Sequence, residues 1–143
     1  ETWKFKHPNP NDFFRIMELE SGLELDWFKE YFVYTRDMAD YAVGEVTEQD
    51  GKTRIDLMKL EQMPMPLDVT VTFEDGATKL FHIPITLMRG EKKFAKQSVE
   101  VLKDWAWTHP IYTMEVDKAV KGVQIDASNM MMDRNRENNV WKK

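Results

Sequence analysis

The sequence predicts a mainly β protein with a small helical N-terminal part: an antiparallel β-sandwich, immunoglobulin-like, preceded by two short α-helices. Three observations point there. Apolar residues recur at helical spacing between Asn9 and Tyr34, the period falls to two from Asp40 onward, and the two-period stretches are joined by short clusters of turn-forming residues.

The first helix starts at Asn9-Pro10-Asn11-Asp12. Asn9 suits the N-cap, Pro10 the first helical position where its missing N–H costs nothing, and Asp12 the positive end of the dipole. Phe13, Ile16, Met17 and Glu20 follow at helical spacing, and Ser21-Gly22 ends the helix because glycine enters the left-handed region cheaply. A second helix is expected over residues 25–34, where Trp27, Phe28, Tyr31 and Phe32 form an aromatic stripe. At this spacing aromatics are core more often than a ligand platform. The two helices should pack on each other or on a surface supplied from elsewhere.

Residues 41–46 and 53–60 read as strands joined by the turn-rich Glu48-Gln49-Asp50-Gly51. Leu67, Val69, Val71 and Phe73 alternate with Asp68, Thr70, Thr72 and Glu74, a strand with one buried and one wet face. Its partner carries Phe81, Ile83, Ile85 and Leu87. Because a one-residue slip turns every side chain to the other face, apolar matching demands an odd loop. Centred on Gly76, such a loop sets Val71 opposite Phe81, Val69 opposite Ile83 and Leu67 opposite Ile85, leaving His82 solvated beside Thr70.

Residues 88–104 are charged enough for a surface connection with a short extended piece at 97–102. Tyr112, Met114 and Val116 mark a further strand, and Val123 and Ile125 a last one, about six in all. The polar, Asn-rich tail is expected to be only partly ordered. Boundaries fall at residues 1–37, 38–128 and 129–143, with the linker near 36–40.

The chain has 143 residues, 42% of them hydrophobic, with five Trp, four Tyr and eight Phe, ample for a packed core. Acidic residues outnumber basic ones, 25 to 20, and no basic stripe is present, which argues against nucleic acid as partner. No apolar run approaches the roughly 20 residues of a membrane-spanning helix. Cysteine is absent, so thiolate metal sites and a cysteine nucleophile are excluded, and the redox compartment is not legible.

Little else in the chain suggests chemistry. His7 and His109 each precede proline and His82 precedes Ile, so none can open H-E-x-x-H, the zinc-binding signature. There is no G-x-S-x-G elbow and no Gly-rich phosphate loop. Glu18 and Glu20 read as a wet helical face. Trp105 and Trp107 share one face of an extended segment and could stack on a sugar ring or plug the end of a sandwich. Arg36 and Arg89, near element ends, could hold a peptide carboxylate through a guanidinium fork.

The segments WKFKHP, PNDFFRIME and SGLELDWFKEYF resemble the end of the thermolysin-like catalytic domain in bacterial zinc aminopeptidases of the aminopeptidase N family, the gluzincins. MPMPLDVTVTFEDG, IPITLMRG, KDWAWTHPIYTMEV and QIDASNMMMDRNRENNVW are similar to the β-rich module that follows in Bacteroidetes-type members. The opening ETWKFKHP, with Trp3 and Phe5 and no initiating Met, suits a cut into a longer polypeptide.

The resemblance implies a non-catalytic C-terminal fragment: residues 1–37 close the catalytic domain, 38–128 form the sandwich, and 129–143 a polar tail. The family's zinc ligands, general-base Glu, substrate-amine motif and transition-state Tyr would lie upstream. No catalytic, cofactor or metal residue is therefore expected here, although zinc is expected in the parent, which would remove N-terminal residues from peptides. The expected partner is the upstream catalytic domain of the same polypeptide; the compartment is not legible from the sequence, a periplasmic or secreted parent being one option. Alone, the fragment should self-associate through Phe13, Phe14, Trp27 or Phe28. The alternative is an immunoglobulin-like binding module that holds a glycan or a protein with Trp105 and Trp107.

Overall fold

The computed structural model describes residue 4, residues 6–94 and residues 98–143. Trp3, Phe5 and Gln97, each used in the sequence reading, lie outside them.

Helix α1 spans Pro10–Ser21 and is capped as expected: Asn9 Oδ1 accepts the Asp12 amide (3.1 Å) while Asp12 Oδ2 accepts the Asn9 amide (3.0 Å). Gly22, at φ 73°, closes it. The second helix is less regular than expected. Helix α2 covers only Asp26–Lys29 and runs into a π-helical turn, Glu30–Tyr34. Phe14 and Trp27 are the buried anchors of the helical layer, and Trp27 joins the core formed by the strands.

Among the described residues eight strands form two sheets. One runs β1 (Tyr41–Gln49), β2 (Lys52–Lys59), β6 (Ile111–Val116). The other runs β5 (Val99–Val101), β4 (Thr78–Ile83), β3 (Leu67–Phe73), β7 (Val120–Ile125), β8 (Val140–Lys142). Both sheets supply one shared core: Ile55 and Leu57 from β2, Met114 from β6, Val69 and Val71 from β3, Phe81 and Ile83 from β4, Val123 and Ile125 from β7.

The β3–β4 loop is odd, as apolar matching demands, but the register is two residues tighter than expected. Val69 faces Phe81, Leu67 faces Ile83, and Asp68, not Thr70, faces His82. The reason lies in the turn. The Gly76 amide bonds the Phe73 carbonyl (3.0 Å), and Gly76 itself is left-handed at φ 82°. A three-residue hairpin loop of this kind takes its left-handed residue last, so Gly76 ends the loop rather than centring it. A two-residue shift preserves the faces but changes every partner.

Three further expectations are corrected. Strand β4 stops at Ile83, because Pro84 has no amide to donate; Ile85 bridges Trp105 and Thr86–Met88 forms a 3-10 turn. Strand β5 pairs with β4 in parallel, so the five-stranded sheet is not purely antiparallel. The polar tail is ordered: it ends in β8, buries Met131, and the Asp133 carboxylate takes the Tyr41 amide (3.1 Å). Asp133 Oδ1 also accepts the Asn135 amide (2.9 Å) and Asn135 Oδ1 the Glu137 amide (3.3 Å), roles that polarity alone does not reveal.

Candidate functional site

A polar cluster lies on the outward face of the β3–β4 hairpin. The pleat that buries Val69 and Phe81 turns Asp68 and His82 the other way, and the register sets them opposite each other. His82 is nevertheless only 1% exposed, which corrects the expectation of a solvated imidazole. Residues 92–94 lie over it. Asp68 Oδ1 sits 2.7 Å from Nδ1, the Lys92 amide donates to Nε2 (3.4 Å), and the Phe94 ring meets the imidazole edge-on at 5.2 Å. Lys92 Nζ donates to Asp68 Oδ2 (2.6 Å) and lies 4.9 Å from the Phe94 ring centre.

These partners fix the tautomer: Nδ1 carries the proton toward Asp68 and Nε2 stays an acceptor for Lys92. Burial disfavours charge on Asp68, but the bonds from His82 and Lys92 outweigh it and hold the carboxyl below the usual carboxylate range. A carboxylate-oriented imidazole is an acid–base pair in principle. Here the basic nitrogen is occupied and covered. Two cavities flank the cluster, about 160 Å³ beside Met65, Asp126 and Met131 and about 500 Å³ beside Thr70, Leu80 and Phe94.

The second feature is the helical layer. Phe13 meets Phe14 edge-on (5.7 Å), Phe14 meets Phe28 (6.4 Å), and Phe28 stacks on Phe32 (5.2 Å). This aromatic ladder is buried in the middle and open at both ends: Phe13 is 59% and Phe32 52% exposed, with Tyr34 at 63%. Of the four residues expected to mediate self-association, Phe14 and Trp27 are buried and Phe28 half-buried. Phe13 remains, and Phe32 and Tyr34 are added.

The residues singled out from the sequence are not brought into one site. Trp105 is buried between Tyr41 (5.6 Å) and Tyr112 (5.3 Å), and its Nε1–H donates to the His109 carbonyl. It plugs the core and offers no ring face to a ligand. Burial pushes the neighbouring Tyr41 hydroxyl well above its ordinary pKa while that oxygen accepts the Met65 amide (2.8 Å). Trp107 is 38% exposed with Lys59 Nζ 5.9 Å from its ring, and partial burial lowers the Lys59 ammonium. Arg89, left-handed at φ 48°, lines a recess of about 420 Å³ with Arg15, Glu18 and Leu23. Arg36 is exposed beyond the π-helical turn.

Glu18 is not simply a wet position, since Oε1 accepts the Leu25 amide (2.9 Å) and so helps to close the turn between the helices. Glu18, Glu24 and Asp26 bring carboxylate oxygens within 4.8 Å of one another, and Glu24 Oε1 accepts the Asp26 amide.

Sequence reasoning missed the Asp68–His82–Lys92 cluster. The signal was present in the alternation, which put Asp68 and His82 on one face, but pairing them required the loop geometry. Nothing in the charged run holding Lys92 and Phe94 announces that it folds back over β4. Comparison with protein-family models, curated proteins and solved structures gives no match.

Proposed function

We propose that this chain is a non-catalytic module that docks through its N-terminal helical face onto another part of the same polypeptide. The occupant we infer is the catalytic domain of a zinc aminopeptidase of the aminopeptidase N family. The observation that supports docking is the aromatic ladder: contiguous rings that leave Phe13 and Phe32 more than half exposed. Exposed apolar patches of that kind mark interaction surfaces. The resemblance of PNDFFRIME and SGLELDWFKEYF to the end of that catalytic domain supplies the occupant.

In this role the two sheets, which we read as an immunoglobulin-like sandwich, hold the helical face rigid and brace the neighbouring domain. In this reading the zinc ligands and the general base belong to upstream residues, and zinc held there would supply the hydrolytic chemistry. Residues of this chain contribute support and no chemical step.

The test uses the longer polypeptide. The coding sequence upstream of Glu1 should contain H-E-x-x-H followed by a further Glu, and the longer protein should release N-terminal residues from peptides. Hydrogen exchange at the backbone amides of Phe13 and Phe32 should slow in the longer protein relative to this chain. Absence of the motif removes the aminopeptidase reading, while unchanged exchange removes the docking reading.

A further inference from the structure

His82 holds the Lys92 amide by a single lone pair, beside the Lys92–Asp68 ion pair and the Phe94 ring contact. Its Nδ1–H is committed to Asp68, and Nε2 accepts the Lys92 amide. Binding a proton at Nε2 converts that acceptor into a donor facing a donor, which leaves the Lys92 amide without its partner. The same proton adds a positive charge beside the Lys92 ammonium, which shares Asp68 with the imidazole. Both effects drive Lys92 away, while the His82–Asp68 contact strengthens as an ion pair.

We infer that residues 92–94 form a proton-controlled strap, closed over β4 while His82 Nε2 is bare and released when it is protonated. The surrounding charges suit such a switch. Asp68 on β3 is the carboxylate in contact with the ring. Lys92 and Lys93 come from the strap itself. Asp126, after β7, lines the smaller cavity, but its carboxylate is engaged by Ser128 Oγ and the amides of Met130 and Met131. On β5 the residue paired with His82 is Val101, which brings no charge, and Lys79 and Glu100 pair with each other. Release has a defined consequence: the two flanking cavities share Asp68, Lys92 and Ser128, so lifting Lys92 removes part of the wall between them.

The experiment is an NMR titration of the full chain from about pH 8 to about pH 5, the span in which histidine side chains as a class change charge. Imidazole nitrogen shifts report protonation of His82, and exchange of the Lys92 amide, corrected for its intrinsic pH dependence, reports the strap. Protection at Lys92 should fall about tenfold, the factor one hydrogen bond of typical net strength supplies, in step with the His82 nitrogen shifts. The amides of β3 should stay protected. In a folded His82→Gln variant the pH-dependent step should vanish. In Lys92→Gln, a change at an exposed position, the step should shrink because the charge repulsion is gone. Flat protection at Lys92 through the His82 titration overturns the proposal without any variant, as does a pH step that survives in His82→Gln.

Discussion

The centre of the five-stranded sheet and the helical layer beside it treat their apolar side chains in opposite ways. On β3 and β4, Val69, Val71 and Ile83 are 0% exposed, each closed in by the shared core. On the helices, Phe13, Phe32 and Tyr34 keep half or more of their surface in water although their neighbours Phe14 and Trp27 are buried. The sheets pack mainly on each other, with Trp27 from the helices joining their core. The helical layer buries only one side of its aromatic surface, and the exposed side is the one proposed above to dock. Stability should therefore reside in the sheets and association in the helices.

The sharpest way to break this contrast is paired truncation. Ile83→Ala should cost about 2–5 kcal/mol in chemical denaturation, as large-to-small changes at fully buried sites do. Phe13→Ala should change the same measurement by less than about 0.5 kcal/mol. Comparable losses at the two sites would erase the distinction. Next in size is Asp126→Ala. The carboxylate, nearly buried, accepts Ser128 Oγ and the Met130 and Met131 amides, and its loss should cost about 2–3 kcal/mol and loosen the tail from Met131 onward. Asn9→Ala removes a capping box and should cost about 1 kcal/mol, read best from helix content on heating.

A smaller effect sharpens the account of the outer face. Asp68 has its carboxyl held below the ordinary range, so the folded chain binds that proton more weakly than the unfolded one. Its contribution to stability is complete above about pH 4, where an unfolded aspartate is ionised, and is lost as pH falls through the lower folded value. Asp68→Asn should make the acid limb of a stability–pH curve shallower below about pH 4. An unchanged limb would mean that the His82 contact, which persists when the ring is protonated, does not favour the ionised form of Asp68.

The regular parts of this architecture were legible because a single local rule governs each. Asn9, Pro10 and Asp12 specify a helix start, and the alternation from Leu67 to Phe73 specifies which side chains are buried. What stayed hidden depends on contacts between segments far apart in sequence. The β3–β4 register turned on where a left-handed glycine sits in a three-residue loop, and with it the identity of the residue opposite His82. The tail was expected from its composition to be only partly ordered, yet Asp126 and Asp133 use their carboxylates to bind backbone amides, and Arg134 donates its amide to the Ala39 carbonyl (2.9 Å). The candidate cluster failed to show for the same reason, since Lys92 and Phe94 reach His82 only through a chain reversal that no periodicity marks.

The claim that the helical layer is half an interface is tested most directly by the oligomeric state of the chain alone, measured by light scattering over a wide range of protein concentration. Reversible, concentration-dependent self-association that disappears in the Phe13→Glu, Phe32→Glu double variant is the predicted result. A monodisperse monomer at high concentration, or association that persists in the double variant, would contradict it.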